Sequence, residues 1–181
     1  MNKIVGFKLH SGVMAIGKQP VDVNLSELES PVVVMNGIIN SENVGSIIRN
    51  CAAFGFESII TDKQTSSPYL RRAVRVSMGA VLNMKIHFSE NLSDDLQKLK
   101  DSNFKIFSAE INDNSIPISQ VEIPDKCAIV FGSEGRGINN EILGISDFTV
   151  HIPITAQVNS INVASSSAVI LSKIFERKKR L

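Results

Sequence analysis

Three short strings in the sequence place glycine or asparagine beside a few charged or amide side chains. They stand at residues 43–49, 131–137 and 152–163 and read NVGSIIR, FGSEGRG and IPITAQVNSINV. Each lies at or just after the end of a predicted strand, where backbone groups are left free to contact a ligand. Together the strings predict an enzyme that acts on a polar substrate and holds a nucleotide-like ligand with its main chain.

The first string begins a predicted helix directly after a strand. Free N–H groups at a helix start attract anions, and a phosphate would be well placed there. Asn43 is predicted to cap the helix and Arg49 to lie further along it, because the step between them is less than two turns. A single arginine on a surface helix is usually only solvated, whereas the apolar neighbours of Arg49 indicate a largely buried helix and favour a functional role.

The second string is a glycine-rich loop that holds Glu134 and Arg136 after a buried strand. Its spacing excludes a Walker loop, because no Lys-Ser or Lys-Thr pair follows, and it also excludes the dinucleotide-binding fingerprint. The loop is either an ordinary strand-to-helix turn, for which glycine supplies the backbone freedom, or a place where a ligand lies close to the main chain.

The third string leads from a strand through Pro153 into a polar loop, and Ser160 and Asn162 open the last predicted helix. Simple helix capping is the alternative explanation for these two side chains. A run of three serines at residues 165–167 is unusual inside a helix. Small residues there predict close packing against another helix, of this chain or of a second subunit.

The elements that must position these strings alternate between strand and helix patterns. Strands are predicted at residues 32–35, 58–61, 84–88, 104–109, 128–131 and 149–152, and helices at 43–54, 68–76, 93–102 and 162–177, with Ser93 as a cap. This alternation predicts an α/β domain with a mostly parallel sheet and helices on both faces. Residues 1–30 fit the pattern poorly and are predicted to be a short N-terminal arm or extension to a single domain at residues 31–181.

The composition of the chain argues against a membrane protein, a secreted protein and a metal-binding protein. The chain of 181 residues is 43% hydrophobic with a formal charge of +1, and it has no run long enough to cross a bilayer and no signal-peptide pattern. Cys51 and Cys127 are isolated, which predicts buried thiols in a reducing, cytoplasmic compartment, and the scattered histidines make a metal site improbable. Basic clusters at residues 71–75 and 177–180 indicate either an RNA-binding surface or merely solvated faces.

In this order, the three strings resemble the motifs of the SpoU family of knotted SPOUT methyltransferases, also called the TrmH-like RNA ribose methyltransferases. The resemblance covers about residues 32–177, and the segment RVSMGA at residues 75–80 looks like the family's linker between its first and second motifs. It implies a C-terminal deep trefoil knot, S-adenosylmethionine as the cofactor, a homodimer, and methylation of a ribose 2′-hydroxyl in tRNA or rRNA. Many relatives carry a separate RNA-binding domain, and residues 1–30 are too short for one. We therefore favour tRNA as the substrate and expect the dimer, the N-terminal arm and the basic tail to recognise the RNA.

The resemblance also implies roles for individual residues. Those implied for catalysis are Arg49, Asn43, Glu134, Ser160 and Asn162, and those implied near the cofactor are Ala109, Gly132, Ile152, Ser160 and Ile161. Arg49 matches the catalytic arginine, with Glu134 orienting it or its neighbours. Because a guanidinium stays protonated at neutral pH, Arg49 is an awkward base, and the milder interpretation is that it grips a substrate phosphate.

Four positions depart from the family's usual pattern. Ser41 stands where proline is common, Ile154 where methionine is common, and Ile161 replaces leucine. Ala156 replaces a frequent glycine, and it would cost about 1 kcal/mol or more if that backbone needed a positive φ. All polar family residues are retained, so activity is expected. Two other hypotheses stay open: a knotted RNA-binding protein without catalysis, and an unrelated nucleotide-binding α/β enzyme.

Overall fold

Seven parallel strands form one sheet in the part of the chain that the structure describes. The computed structural model describes residues 17–178, with side chains through Glu176. The strands are β1 Val32–Asn36, β2 Ser58–Thr61, β3 Lys85–Phe88, β4 Lys105–Ala109, β5 Ile116–Pro117, β6 Cys127–Gly132 and β7 Phe148–His151. Their spatial order is β3-β2-β1-β6-β4-β7-β5, and every neighbouring pair is parallel. All carboxyl ends therefore lie at one edge of the sheet.

Helices cover both faces of this sheet. They are α1 Ser41–Ala53, α2 Arg71–Val76, α3 Leu92–Asp101, α4 Asn140–Ile145 and α5 Val163–Lys178. Apolar side chains of α1, α2 and α5 pack with Val33 and Met35 on one face, and those of α3 and α4 pack with Val32 and Val34 on the other. The strand β1 is buried on both sides for this reason, which explains its continuous apolar run. The predicted α/β class is confirmed, and the trefoil knot stays a prediction.

Two predicted caps are wrong. Asn40, not Asn43, caps α1, because the Asn40 side chain accepts a hydrogen bond from the N–H of Glu42. Asn91, not Ser93, caps α3 and accepts from the N–H of Asp94. In both cases an asparagine stands just before the acidic first turn, and its short side-chain oxygen reaches the free N–H groups. The short elements β5 and α4 have no counterpart among the predicted elements, because they are too brief to show a period.

The serine run of the last helix packs inside this chain. Ser167 is completely buried, and the Nδ2 atom of Asn50 on α1 donates hydrogen bonds to Ser167 Oγ and Ala164 O, both at 2.9 Å. Ser165, by contrast, is exposed. The small side chains therefore bring α5 close to α1, which is one of the two packings that the sequence left open, and packing of this run against a second subunit stays a prediction.

The later half of the predicted arm lies against the sheet. The N–H of Val23 donates to Ile86 O at 3.1 Å, and Leu28, which follows a 3-10 turn at Leu25–Glu27, is buried. Residues 1–16 lie outside the described part of the chain, as do the side chains of the basic tail at residues 177–180. The division at residue 30 stays a prediction. None of the helices in the described part has the length and apolar character needed to cross a membrane.

Candidate active site

A cavity of about 310 Å³ opens at the carboxyl edge of the sheet, where the loops after β4, β6 and β7 meet the start of α5. In open α/β sheets, ligands bind outside the carboxyl ends of the strands. The size falls in the range of small-molecule sites. Its walls are formed by Ala109, Glu110, Ile111, Phe131, Gly132, Ser133, Glu134, Gly135, Gly137, Val150, His151, Ile152, Ile154, Ser160, Ile161, Asn162, Val163, Ser166 and Ile170.

The loop after β6 makes a tight turn beneath this cavity. The N–H groups of Ser133 and Gly137 each donate to the carbonyl of the other, at 3.1 and 2.9 Å. A Cβ on Gly132 would stand 2.6 Å from the carbonyl carbon of Gly137 and from the N atom of Ile138, so only glycine fits there. Gly137 has a φ of +67°, which favours glycine as well. The glycines of the second string thus close a turn that presents Glu134.

Glu110 joins two of the loops and was missed by the sequence reasoning. Its carboxylate lies against Gly137 and accepts hydrogen bonds from the N–H groups of Ile138 at 2.9 Å and Ile111 at 3.0 Å. The loop after β4 is thereby tied to the turn after β6. A carboxylate directly following a buried strand was the available signal, because it stands beside Ala109 in the sequence.

One hydrogen-bonded chain connects the three strings of the sequence. Asn43 Nδ2 donates to Glu134 Oε1, and Asn162 Nδ2 donates to Asn43 Oδ1 at 3.2 Å. Asn162 Oδ1 accepts from the N–H of Ala164 at 2.8 Å and so begins α5. A carboxylate can only accept, so Asn43 turns its NH₂ group to Glu134 and its oxygen to Asn162. The orientation of each amide is therefore determined by its neighbours.

Arg49 lies outside this chain of contacts. Asn43 and Asn50 are two turns apart on α1, and both point toward α5. Arg49 lies on a different stripe of α1, two turns from Glu42. This stripe includes Gly45 and packs against α2. The side chain of Arg49 is exposed and makes no hydrogen bond or ion pair with any of the residues that the structure describes. Glu134 therefore pairs with Asn43 and not with Arg49, and its predicted orienting role stays a prediction.

The residues predicted to lie near the cofactor all line the cavity. They are Ala109, Gly132, Ile152, Ser160 and Ile161, and Glu134 and Asn162 line it too. Asn43 borders it through Glu134, and Arg49 is not part of its wall. The roles of these residues stay predictions, but the structure brings together every predicted site residue except Arg49.

The backbone conformation accommodates two of the residues that depart from the family pattern, Ala156 and Ser41. Ala156 does not adopt a positive φ; within residues 17–178 the non-glycine residues that do are Met78 and Asn103. The expected strain at Ala156 is therefore absent from the loop beside the cavity. Ser41 is the first residue of α1, a position where proline needs no hydrogen bond, so serine replaces it without altering the helix.

The cavity suits a ligand with both apolar and polar parts. Ile152, Ile154 and Ile161 supply apolar surface, and exposed backbone at Gly135 and the hydroxyl of Ser160 supply polar groups. His151 also lines the cavity, and its Nδ1 atom is buried without a hydrogen-bond partner among the described residues. No group of His, Cys, Asp and Glu side chains in the described range could hold a metal ion.

Comparison with known proteins identifies the family to which this chain belongs. Residues 30–172 match the model of the SpoU rRNA Methylase family. An uncharacterized tRNA/rRNA methyltransferase of Mycobacterium bovis is 30% identical over 93% of this chain and 61% of its own length. The chain thus spans about three fifths of that relative.

Two solved structures share the fold. The SpoU methyltransferase AviRb from Streptomyces viridochromogenes, in complex with the cofactor AdoMet, is 18% identical with a TM-score of 0.78, over 86% of this chain and 63% of that one. A protein from a study of 2-OH methylation on tRNA is also 18% identical, with a TM-score of 0.73, over 83% of this chain and 97% of that one. At this identity the two likenesses establish the fold alone.

Proposed function

Because the chain belongs to the SpoU rRNA methylase family, we propose that it transfers a methyl group from S-adenosylmethionine to a ribose 2′-hydroxyl of tRNA or rRNA, with tRNA the favoured substrate. The observation that carries the proposal is the hydrogen-bonded chain from Asn43 to Glu134, with Asn162 joined to the same amide, at the mouth of the cavity. It unites the three motif strings at one polar edge. The similarity to a relative described as a tRNA/rRNA methyltransferase supports RNA as the substrate.

The cavity fits S-adenosylmethionine in size and chemistry. Its three isoleucines can cover the adenine ring, and backbone groups beside Gly132 and Ile152 can satisfy ring nitrogens and hydroxyls. The close packing at Gly132 keeps the main chain within reach of a ligand. When bound, the cofactor supplies an electrophilic methyl group on a sulfonium. The chain supplies no metal ligand set for this reaction within its described part, and methyl transfer to a hydroxyl needs none.

The polar edge of the cavity acts on the ribose. Ser160 and Asn162 border the cavity and can hydrogen-bond to ribose hydroxyls, which fixes the 2′-oxygen in line with the bond that breaks. Alignment of this kind supplies a large part of the rate enhancement in a displacement. Glu134 holds the amide of Asn43 in place, so that the site keeps its geometry before substrate binds.

Arg49 binds an RNA phosphate rather than the cofactor. It lies on another stripe of α1 than Asn43, and its planar fork of donors matches a phosphate. A water at the polar edge of the cavity takes the proton that leaves the 2′-hydroxyl, because Arg49 and the phosphate that it holds lie on the other face of α1. The role of phosphate binding agrees with the exposure of Arg49 and with its position on a face of α1 that is turned away from the cavity.

The protein works as a homodimer with α5 in the interface. Val158, Ile161 and Val169 expose apolar surface before and along α5, with 51%, 36% and 40% of each residue accessible. A second copy would cover these side chains and border the cavity, because Ile161 belongs to both surfaces. Isologous pairing of one such patch with itself is the commonest way for a chain to form a dimer.

Incubation with methyl-labelled S-adenosylmethionine and unmodified cellular RNA, followed by digestion to nucleosides, tests the proposal. We expect label on the ribose of tRNA nucleosides. Label on bases alone would exclude the ribose assignment, and label confined to rRNA would exclude the preference for tRNA. Cofactor or RNA binding without any label would favour the noncatalytic RNA-binding alternative.

A further inference from the structure

A second, strongly basic cleft lies between α1 and α2, away from the cavity described above. Its volume is about 500 Å³, and its lining consists of Glu42, Arg71, Arg72, Arg75 and Val76. Three guanidinium groups thus line the cleft together with one carboxylate. The net positive charge of this lining contrasts with the whole chain, whose formal charge is only +1.

Close packing of the two helices forms this cleft. A Cβ on Gly45 would stand 2.6 Å from Ala73 O and 2.9 Å from Val76 Cβ, so α2 touches the backbone of α1 at this glycine. Ala73 is completely buried, which turns the opposite side of α2 to solvent. Arg71 and Arg75 are one turn apart on that exposed side. The sequence therefore directs the arginines outward along a fixed line.

Glu42 holds one of the three guanidinium groups in a defined orientation. Both Nε and Nη2 of Arg72 donate to Glu42 Oε1, at 2.8 and 2.5 Å. Both side chains stay accessible, at 68% for Arg72 and 47% for Glu42. Arg72 keeps further N–H donors, because a guanidinium has five. With three guanidinium groups and one carboxylate, the charges of the lining residues sum to a positive value.

Arg49 connects this cleft to the reaction. It lies two turns from Glu42 on the same stripe of α1, and Gly45, where α2 touches α1, lies between them. Arg49 is exposed and does not line the cleft, so a strand of RNA bound in the cleft would reach it only after passing this helix contact. Exposed Leu70 and Met78 lie at the two ends of α2 and offer apolar surface to sugars or bases.

We propose that the cleft between α1 and α2 binds consecutive backbone phosphates of the substrate RNA and leads the strand to Arg49. The inference rests on the proposed function, which supplies RNA as the substrate. Arginine forks match phosphate oxygens in pairs, and phosphate contacts position an RNA without reading its sequence. Arg71 and Arg75 thus act as positioning residues that determine how strongly the strand is held.

Salt-dependent binding of a short fluorescein-labelled single-stranded RNA tests this inference. We expect Arg71→Ala combined with Arg75→Ala to weaken binding about tenfold. The slope of log affinity against log salt should decrease by about 0.7 for each phosphate that is no longer bound, hence by about 1.4 for two. The matched control combines Lys105→Ala with Lys126→Ala at the amino edge of the sheet, which removes the same charge. We expect the control to bind like the wild type.

Glu42→Gln separates the effect of charge from the effect of folding. Removing the one carboxylate should strengthen RNA binding at low salt, whereas a merely structural disturbance of α1 would weaken it. Equal slopes for the arginine variant and the wild type would overturn the inference, as would an equal weakening in the lysine control. If poly-glutamate binds through these arginines as tightly as RNA does, the cleft takes an acidic protein partner, and the inference is overturned too.

The same experiment distinguishes this inference from the proposed function. If the wild type methylates and binds RNA but the arginine variant is unchanged, the cleft alone is misassigned. If the wild type transfers no methyl to RNA, the proposed function fails, whatever the salt slopes show. Cofactor binding measured by calorimetry should be the same in all variants, because the cleft residues do not line the cavity.

Discussion

Individual residues of α1 divide the chemistry between two faces of this helix. Asn43 points to the cavity and pairs with Glu134, whereas Arg49 points to the side of α2. The proposed reaction needs both faces, because the ribose must be aligned while its neighbouring phosphate is held. A single helix that carries both groups keeps their separation constant.

Replacing Arg49 with alanine should abolish turnover and leave cofactor binding nearly intact. The side chain is exposed and outside the cavity wall, so the substitution removes a group that holds the substrate and leaves the cofactor pocket whole. We expect kcat to fall by about a hundredfold or more. The cofactor Kd, measured by calorimetry, should change by less than tenfold, or about 1.4 kcal/mol.

Arg49→Lys is the matched variant, because it keeps the charge and removes the planar fork of donors. Partial activity in Arg49→Lys would agree with a phosphate contact. A cofactor affinity lowered beyond tenfold in Arg49→Ala would instead show that Arg49 supports the cofactor pocket.

Among the elements, the turn after β6 determines the shape of the cavity. Its two ends are bonded to each other through Ser133 and Gly137, and Glu110 fastens it to the loop after β4. The turn has no room for a side chain at Gly132. Glycine is needed here for close approach of two backbone segments, and the positive φ that favours glycine occurs at Gly137 instead.

Gly132→Ala should destabilise the protein and weaken cofactor binding together. The new Cβ would press on backbone atoms at 2.6 Å, which cannot move as a flexible side chain can. Overpacking of this kind costs about 1–3 kcal/mol. Urea unfolding measures the stability, and calorimetry measures the cofactor affinity.

Gly144→Ala provides the control for that experiment. Gly144 lies in α4, and a Cβ there would meet nothing within 4 Å. Alanine favours a helix over glycine by about 0.5–1 kcal/mol, so this variant should be as stable as the wild type or more stable. If both variants are destabilised equally, the tight turn at Gly132 is not the cause.

Across the molecule as a whole, the buried Asp95 and the partly buried Asp147 tie helices and strands together. Burial alone would raise the pKa of Asp95, but hydrogen bonds from Ser89, Lys98 and His87 lower it below the ordinary value. Burial also acts to raise the pKa of Asp147, but the N–H of Ile106 and the charges of Lys105 and Lys100 outweigh it and lower that pKa. Both carboxylates are therefore stabilised as anions in the folded chain.

Stability should fall in acid because of these two groups. Their pKa values are lower in the folded state, so the unfolded chain takes up protons first, and the stabilisation is complete well above the unfolded value of about 3.9. We expect the free energy of unfolding in urea to decrease as the pH falls below about 5 and through the lowered folded values. Asp95→Asn with Asp147→Asn should flatten this decrease. An unchanged pH dependence in that variant would assign acid sensitivity to other groups.

Light scattering should give the mass of a dimer at micromolar concentration. Val169→Asp places a charge on the exposed apolar side of α5 and should shift the protein to monomers with an unchanged circular dichroism spectrum. Leu82→Asp is the matched control, since Leu82 is an exposed apolar residue in the 3-10 turn before β3. A monomeric wild type that retains activity would contradict the proposed dimer.

Local sequence patterns were sufficient to predict the order of the longer strands and helices, whereas the predicted residues of the cavity wall came from the family resemblance. The apolar runs of β1 and β6 mark buried strands, and Ala109, Gly132 and Ile152 lie at or just after the ends of such runs. Which polar groups meet depends instead on the packing of whole elements. Asn43 and Asn162 are joined across 119 residues only because α5 packs on α1 at a particular helical angle. Packing of whole elements also places Arg49 outside the cavity and allows Glu110 to accept a hydrogen bond from the N–H of Ile138. The residues next to these side chains in the sequence do not indicate either result.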